Sequence, residues 1–98
     1  MAQLIYSQRA LADLERLVDF LMETEPASAL ETVALISEAV KILENHPMVG
    51  RPAENDLREL VISRGVTGYL ALYSYEQAHD TVLVLALRHQ RETGYETD

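Results

Sequence analysis

Two apolar stripes of helical period, separated by a very short link, constrain this chain more than any other feature. Leu11, Leu14, Leu17, Val18, Leu21 and Met22 recur at three- and four-residue spacing, which gathers them along one side of a helix. Ser7, just ahead of them, is a good N-cap. Pro26, after Thr24 and Glu25, suits the first turn of a second helix, where its missing N–H costs nothing. Val33, Ile36, Val40 and Leu43 carry that helix's inward face. Pro47 biases the residue before it away from helical geometry, so this helix is expected to stop near Asn45 or His46. The pair, roughly residues 8–23 and 26–45, reads as an antiparallel hairpin.

Beyond His46 the pattern changes. Pro47, Gly50 and Pro52 form a turn-rich connector, and three short β-rich runs follow it: Leu57 to Ser63, Gly68 to Tyr75, and Thr81 to about His89. The links Arg64-Gly65-Val66-Thr67 and Glu76-Gln77-Ala78-His79-Asp80 are short enough to favour an antiparallel meander. Leu4 to Tyr6 adds a further short strand ahead of the first helix. Strand alternation places Leu83, Leu85, Leu87 and His89 on one face and Val82, Val84, Ala86 and Arg88 on the other, while Tyr69, Ala71, Tyr73 and Tyr75 oppose Leu70 and Leu72. Both faces are therefore rich in apolar side chains, and a two-helix layer covers one of them. Each aliphatic side chain left uncovered forgoes about 1.5–3 kcal/mol of burial, so the uncovered surface is expected to take a protein partner.

A chain of 98 residues supports one core and one domain, residues 1–98. There is no cysteine, and the three histidines, His46, His79 and His89, are scattered, so disulfides, thiolate chemistry and a metal site are not expected, nor is any cofactor. Met1 to Tyr6 lacks the basic region and long apolar run of a secretory signal, and no stretch approaches the length of a membrane span; a cytoplasmic protein with no membrane partner is expected. The formal net charge of −8 repels polyanions on average, so strong direct binding of nucleic acid is not expected. Lys41 is the single lysine, and Arg51, Arg58, Arg64, Arg88 and Arg91 all lie in the second half.

The densest set of chemically capable side chains is Arg88-His89-Gln90-Arg91-Glu92-Thr93-Gly94-Tyr95, at the end of the last strand. Arginine, histidine and tyrosine together suit general acid–base work on a phosphodiester, with guanidinium groups steadying developing charge. On spacing alone the same residues better suit a structural reading, in which Arg88 and Arg91 pair with carboxylates, His89 caps the core face and Tyr95 packs its ring on the sheet. Tyr69, Tyr73 and Tyr75 form a stripe that fits base stacking, or, more commonly at strand spacing, core or protein interface. Gly50-Arg51-Pro52 is a turn in which Gly50 and Pro52 serve backbone geometry and Arg51 is the functional candidate. Asp13, Glu15, Asp19, Glu23, Glu31, Glu38 and Glu44 read as solvated helix faces. No phosphate-cradling glycine loop and no recognisable serine–histidine arrangement is present.

The order of a strand, a helix hairpin, Gly50-Arg51, Leu57-Arg58-Glu59-Leu60-Val61-Ile62, a tyrosine-rich strand and the closing Leu87 to Tyr95 resembles the RelE/ParE toxin superfamily over nearly the whole chain, most closely its ParE branch. The ending RHQRETGY is the most specific piece. The resemblance implies an α+β fold with the hairpin packed on an antiparallel sheet, and a toxin held inactive by a cognate antitoxin whose carboxy-terminal segment lies along hairpin and sheet. On that reading Leu14, Val18, Leu21, Tyr69, Tyr73, Val82 and Val84 are the antitoxin-binding candidates. In the RelE branch the free toxin cleaves messenger RNA at the ribosome, which would make Arg58, Arg64, Arg88, His89 and Tyr95 the catalytic candidates. In the ParE branch it inhibits DNA gyrase, which would make Arg51, Arg58, Arg88, Arg91 and Tyr95 the target-binding candidates, with no catalytic residue. Ribonucleolytic members have a strongly basic face, and one lysine in a chain of net charge −8 departs from that. The expectation is therefore a toxin that binds gyrase, with a ribosome-dependent endoribonuclease and an inactive, purely interacting family member as the alternatives.

Overall fold

The computed structural model describes residues 1–64 and 67–90; Gly65, Val66 and everything from Arg91 onward lie outside the described residues. Strand β1 (Gln3–Tyr6) leads into helices α1 (Gln8–Thr24) and α2 (Pro26–Lys41), followed by β2 (Arg51–Pro52), β3 (Arg58–Arg64), β4 (Thr67–Glu76) and β5 (Thr81–His89). Ser7 caps α1 as its position suggests, its Oγ accepting the Ala10 N–H at 3.0 Å, and Pro26 opens α2. The α-helical part of α2 ends earlier than Pro47 alone requires. Ile42–Glu44 tightens into a 3-10 turn, and the N–H groups of Asn45 and His46 both reach the Ile42 carbonyl, at 3.2 and 3.0 Å. That is a common way to satisfy the last carbonyls of a helix.

The sheet runs β1-β5-β4-β3-β2. Its three long strands form the expected antiparallel meander, but β1 pairs with β5 in parallel, and β2, not foreseen in the sequence, pairs with the start of β3. Pro52 is tolerated there because an edge strand leaves one side free of ladder bonds.

The helix layer covers one face, where Leu17, Ile36, Val40 and Leu43 meet Ile62, Tyr69, Ala71, Tyr73, Val82, Val84 and Leu87 in one core. Simple alternation fails in β5. Leu72 sits opposite Ala86 but Tyr73 opposite Val84, so Leu85 is an extra residue, a bulge that rephases the strand. Leu87 and His89 consequently join Val82 and Val84 on the helix side, whereas Ala86 and Arg88 lie on the outer face with Leu83. Ile5 and Val61 are exposed on that outer face, Leu72 and Leu83 half-buried, and Leu70 and Ala86 buried.

Candidate functional site

The bulge decides where the closing run of β5 points. Arg88 lies across from Leu70 on the outer face, and His89 lies across from Tyr69 on the helix side. The His89 ring meets Tyr69 edge-to-face, centroids 5.3 Å apart and planes at 87°, a favourable aromatic geometry. Arg88 Nη1 donates to the His89 carbonyl at 3.3 Å. The two residues expected to act together thus present their side chains to opposite faces of the sheet. The side chain of Arg64, and Arg91 and Tyr95 entirely, lie outside the described residues.

Arg58 is on the helix side and is engaged with the connector: Nη1 donates to the carbonyls of Met48 at 3.1 Å and Gly50 at 2.7 Å. Tyr73 completes the clamp. Its hydroxyl donates to the Pro47 carbonyl at 2.8 Å and accepts the Gly50 N–H at 2.9 Å. Burial pushes the Tyr73 hydroxyl above its ordinary pKa, against the opposing pull of the Gly50 N–H and the nearby Arg58 charge. Gly50 has to be glycine, since a Cβ there would sit 2.6 Å from the Tyr73 ring and hydroxyl. Arg51 is exposed and grips Glu59 through Nε at 2.9 Å and Nη2 at 2.5 Å. The expectation that Arg51 and Arg58 contact a target is thus met by two arginines already bound within the fold, Arg58 more firmly than Arg51.

The antitoxin-binding candidates divide in the same way. Tyr73, Val82 and Val84 have no exposed surface, and Leu21 and Tyr69 are buried. The helix layer seals them, which corrects the reading of these five as contact surface. Leu14 and Val18 remain half-exposed on α1, and Leu11 and Met22, 52% and 56% exposed, extend them into one flank at three- and four-residue spacing.

Asp13 overturns its reading as a solvated residue. It is 6% exposed, and its Oδ2 accepts the Leu87 N–H at 2.9 Å, with Arg9 Nε at 3.9 Å and Arg16 Nη2 at 4.0 Å from the carboxylate. The signal was present in the sequence: Asp13 stands three residues after Ala10 and four before Leu17, in the middle of the buried stripe. Elsewhere, Tyr75 donates to Asp80 Oδ1 at 2.6 Å, which raises its pKa, and burial raises that of Tyr6. Among the described residues no group of His, Asp and Glu is arranged to hold a metal ion, and no helix is long and apolar enough to cross a membrane.

Chains of similar fold occur in solved toxin–antitoxin systems. The chromosomal ParDE toxin–antitoxin system from P. aeruginosa contains a chain that superposes with a TM-score of 0.76 at 27% identity, over 91% of this chain and 96% of that one. A chain of the intact E. coli RelBE toxin–antitoxin complex matches at a TM-score of 0.59 and 14% identity, over 95% and 100%, a likeness of fold alone. In sequence, Toxin RelE2 of Caulobacter vibrioides is 34% identical over 91% of this chain and 96% of its own length, and Toxin RelE3 of the same organism 32% over 86% and 89%. Fold and sequence together define a toxin of the RelE/ParE superfamily. Residues 4–94 match the family described as the ParE toxin of the type II toxin–antitoxin system parDE, and the chain belongs to that family.

Proposed function

We propose that this toxin acts by binding DNA gyrase rather than by cutting RNA, and that a cognate antitoxin neutralises it. One observation carries the reading: the described candidates for an RNA-cleaving site, Arg58, Arg88 and His89, are each directed to a different contact. Arg58 is bound to the connector carbonyls, Arg88 faces outward, and His89 packs against Tyr69 on the helix side, whereas acid–base catalysis needs its groups within hydrogen-bond reach of one reacting centre. The net charge of −8 adds to this, since binding RNA draws on phosphate neutralisation and counterion release. The antitoxin is assigned to the α1 flank of Leu11, Leu14, Val18 and Met22, an apolar stripe of the kind that partner segments cover.

The relatives named RelE2 and RelE3 favour a second reading, a ribosome-dependent endoribonuclease. Purified toxin separates the two when given in parallel to gyrase supercoiling and to translating ribosomes. Stalled supercoiling with intact message, relieved by antitoxin, is expected, and His89→Ala should change it only through packing. Cleavage of ribosome-bound message that drops by about 100-fold or more in His89→Ala would reverse the assignment.

A further inference from the structure

The open side of β5 is closed by an unusual succession of groups. β1 accompanies β5 only from Thr81 to Val84, so the last five residues of β5, which lead to Gln90, have no strand on that side among the described residues. Helix α1 takes over where β1 stops. The Ser7 N–H donates to the Val84 carbonyl at 2.9 Å and Ser7 Oγ to the Leu85 carbonyl at 3.1 Å, so both carbonyls at the bulge are satisfied by one residue. Two turns further along α1, the Asp13 carboxylate accepts the Leu87 N–H at 2.9 Å.

Alternate residues of a strand direct their backbone groups to the same edge. Gln90 donates to Gly68 across the β4 side at 2.9 Å, so the backbone groups of Leu87 and His89 face the other side, toward α1. Asp13 therefore holds this edge from another element just ahead of the functional run. A carboxylate accepting a backbone N–H makes a stronger bond than a neutral acceptor. Arg9 and Arg16, 3.9 and 4.0 Å away, offset the cost of burying its charge.

We propose that Asp13 is the positioning residue of the toxin's target-contacting run: through the Leu87 N–H it substitutes for the missing strand and fixes the end of β5 that carries Arg88 and His89. This rests on the reading of that run as the target contact. A strand end held on one side only frays more readily than one held on both. Asp13 thus acts on the target through the backbone and touches it nowhere.

The test compares Asp13→Ala with Asp13→Asn, which keeps an acceptor oxygen but not the charge, using growth arrest on induction, antitoxin binding and amide hydrogen exchange. Growth arrest is blind to the target, so it judges Asp13 whether the target is gyrase or message. In Asp13→Ala the Leu87 and His89 amides should exchange about tenfold faster or more, while the amides pairing β3 with β4 keep their protection. Antitoxin binding should persist and growth arrest should be lost, with Asp13→Asn restoring part of both protection and arrest. Full toxicity in Asp13→Ala would overturn the proposal. So would an equal rise in exchange throughout the sheet, which would mark a general structural role. A wild-type chain that arrests growth without affecting gyrase defeats the functional reading and leaves the Asp13 comparison intact.

Discussion

The two margins of the sheet are closed by opposite means. At the β1 margin a helix and its cap lend side chains to a strand: Ser7, the N-cap of α1, and Asp13 within α1 take up backbone groups of β5 beyond the reach of β1. At the β2 margin strands lend side chains to a loop: Tyr73 of β4 and Arg58 of β3 hold the carbonyls and N–H of Pro47, Met48 and Gly50, and the two-residue β2 follows from that clamp. The first arrangement fixes the strand end to which target contact is assigned here as a proposal. The second fixes a connector, and in doing so engages Arg58, an expected target contact, within the fold. Function should therefore concentrate at the β1 margin and stability at the β2 margin.

The largest expected effect tests the second half of that statement. A methyl group at Gly50 would lie 2.6 Å from Tyr73 and 3.0 Å from the Glu59 carbonyl. Neither neighbour yields readily, one being a fully buried ring and the other backbone. Gly50→Ala should cost about 2–3 kcal/mol as an overpacked site, lowering the thermal midpoint of a domain this size by roughly 10–20 °C. A shift of only a few degrees would mean that the connector moves freely and that the clamp is not what holds the margin.

These margins also mark how far the sequence could be read. The helices and the three long strands were legible because their apolar periods, three to four residues in α1 and two in β4, follow from burying one side of each element. The bulge at Leu85 was not, because Val82 to Leu87 is apolar in both phases and a slip of one residue leaves no mark in such a run. The helix-side position of His89 was lost with it. Asp13 was legible but misread, its charge outweighing its place in the buried stripe. The clamp was beyond reach: Tyr73 and Pro47 are separated by 26 residues, and no local pattern announces a hydroxyl bridging a loop.

Alkaline pH gives a smaller effect at the same margin. Burial raises the Tyr73 pKa above the ordinary value of 10.0, so the fold favours the neutral hydroxyl. Its contribution is complete below the unfolded value and is lost as pH climbs from about 10 through the higher folded value. Tyr6 and Tyr75 are raised as well and add in the same direction. Urea midpoints should fall above pH 10, and less steeply in Tyr73→Phe. At neutral pH that variant should already be weaker by about 1–2 kcal/mol, having left the Gly50 N–H unpaired. Parallel alkaline slopes for the two proteins would show that Tyr73 is not among the groups responsible.

The smallest expected effect is the most useful for separating the margins. Arg51 pairs with Glu59, yet its side chain is 60% exposed, and an ion pair in that setting contributes under about 1 kcal/mol. Arg51→Ala should therefore leave the urea midpoint nearly unchanged, unlike Gly50→Ala one residue away. Its toxicity then becomes a direct reading of surface contact. If function is confined to the β1 margin, Arg51→Ala arrests growth as the wild type does. A stable variant that has lost toxicity would instead extend the target-contacting surface across the outer face of the sheet to Arg51, and the division between the two margins would fail.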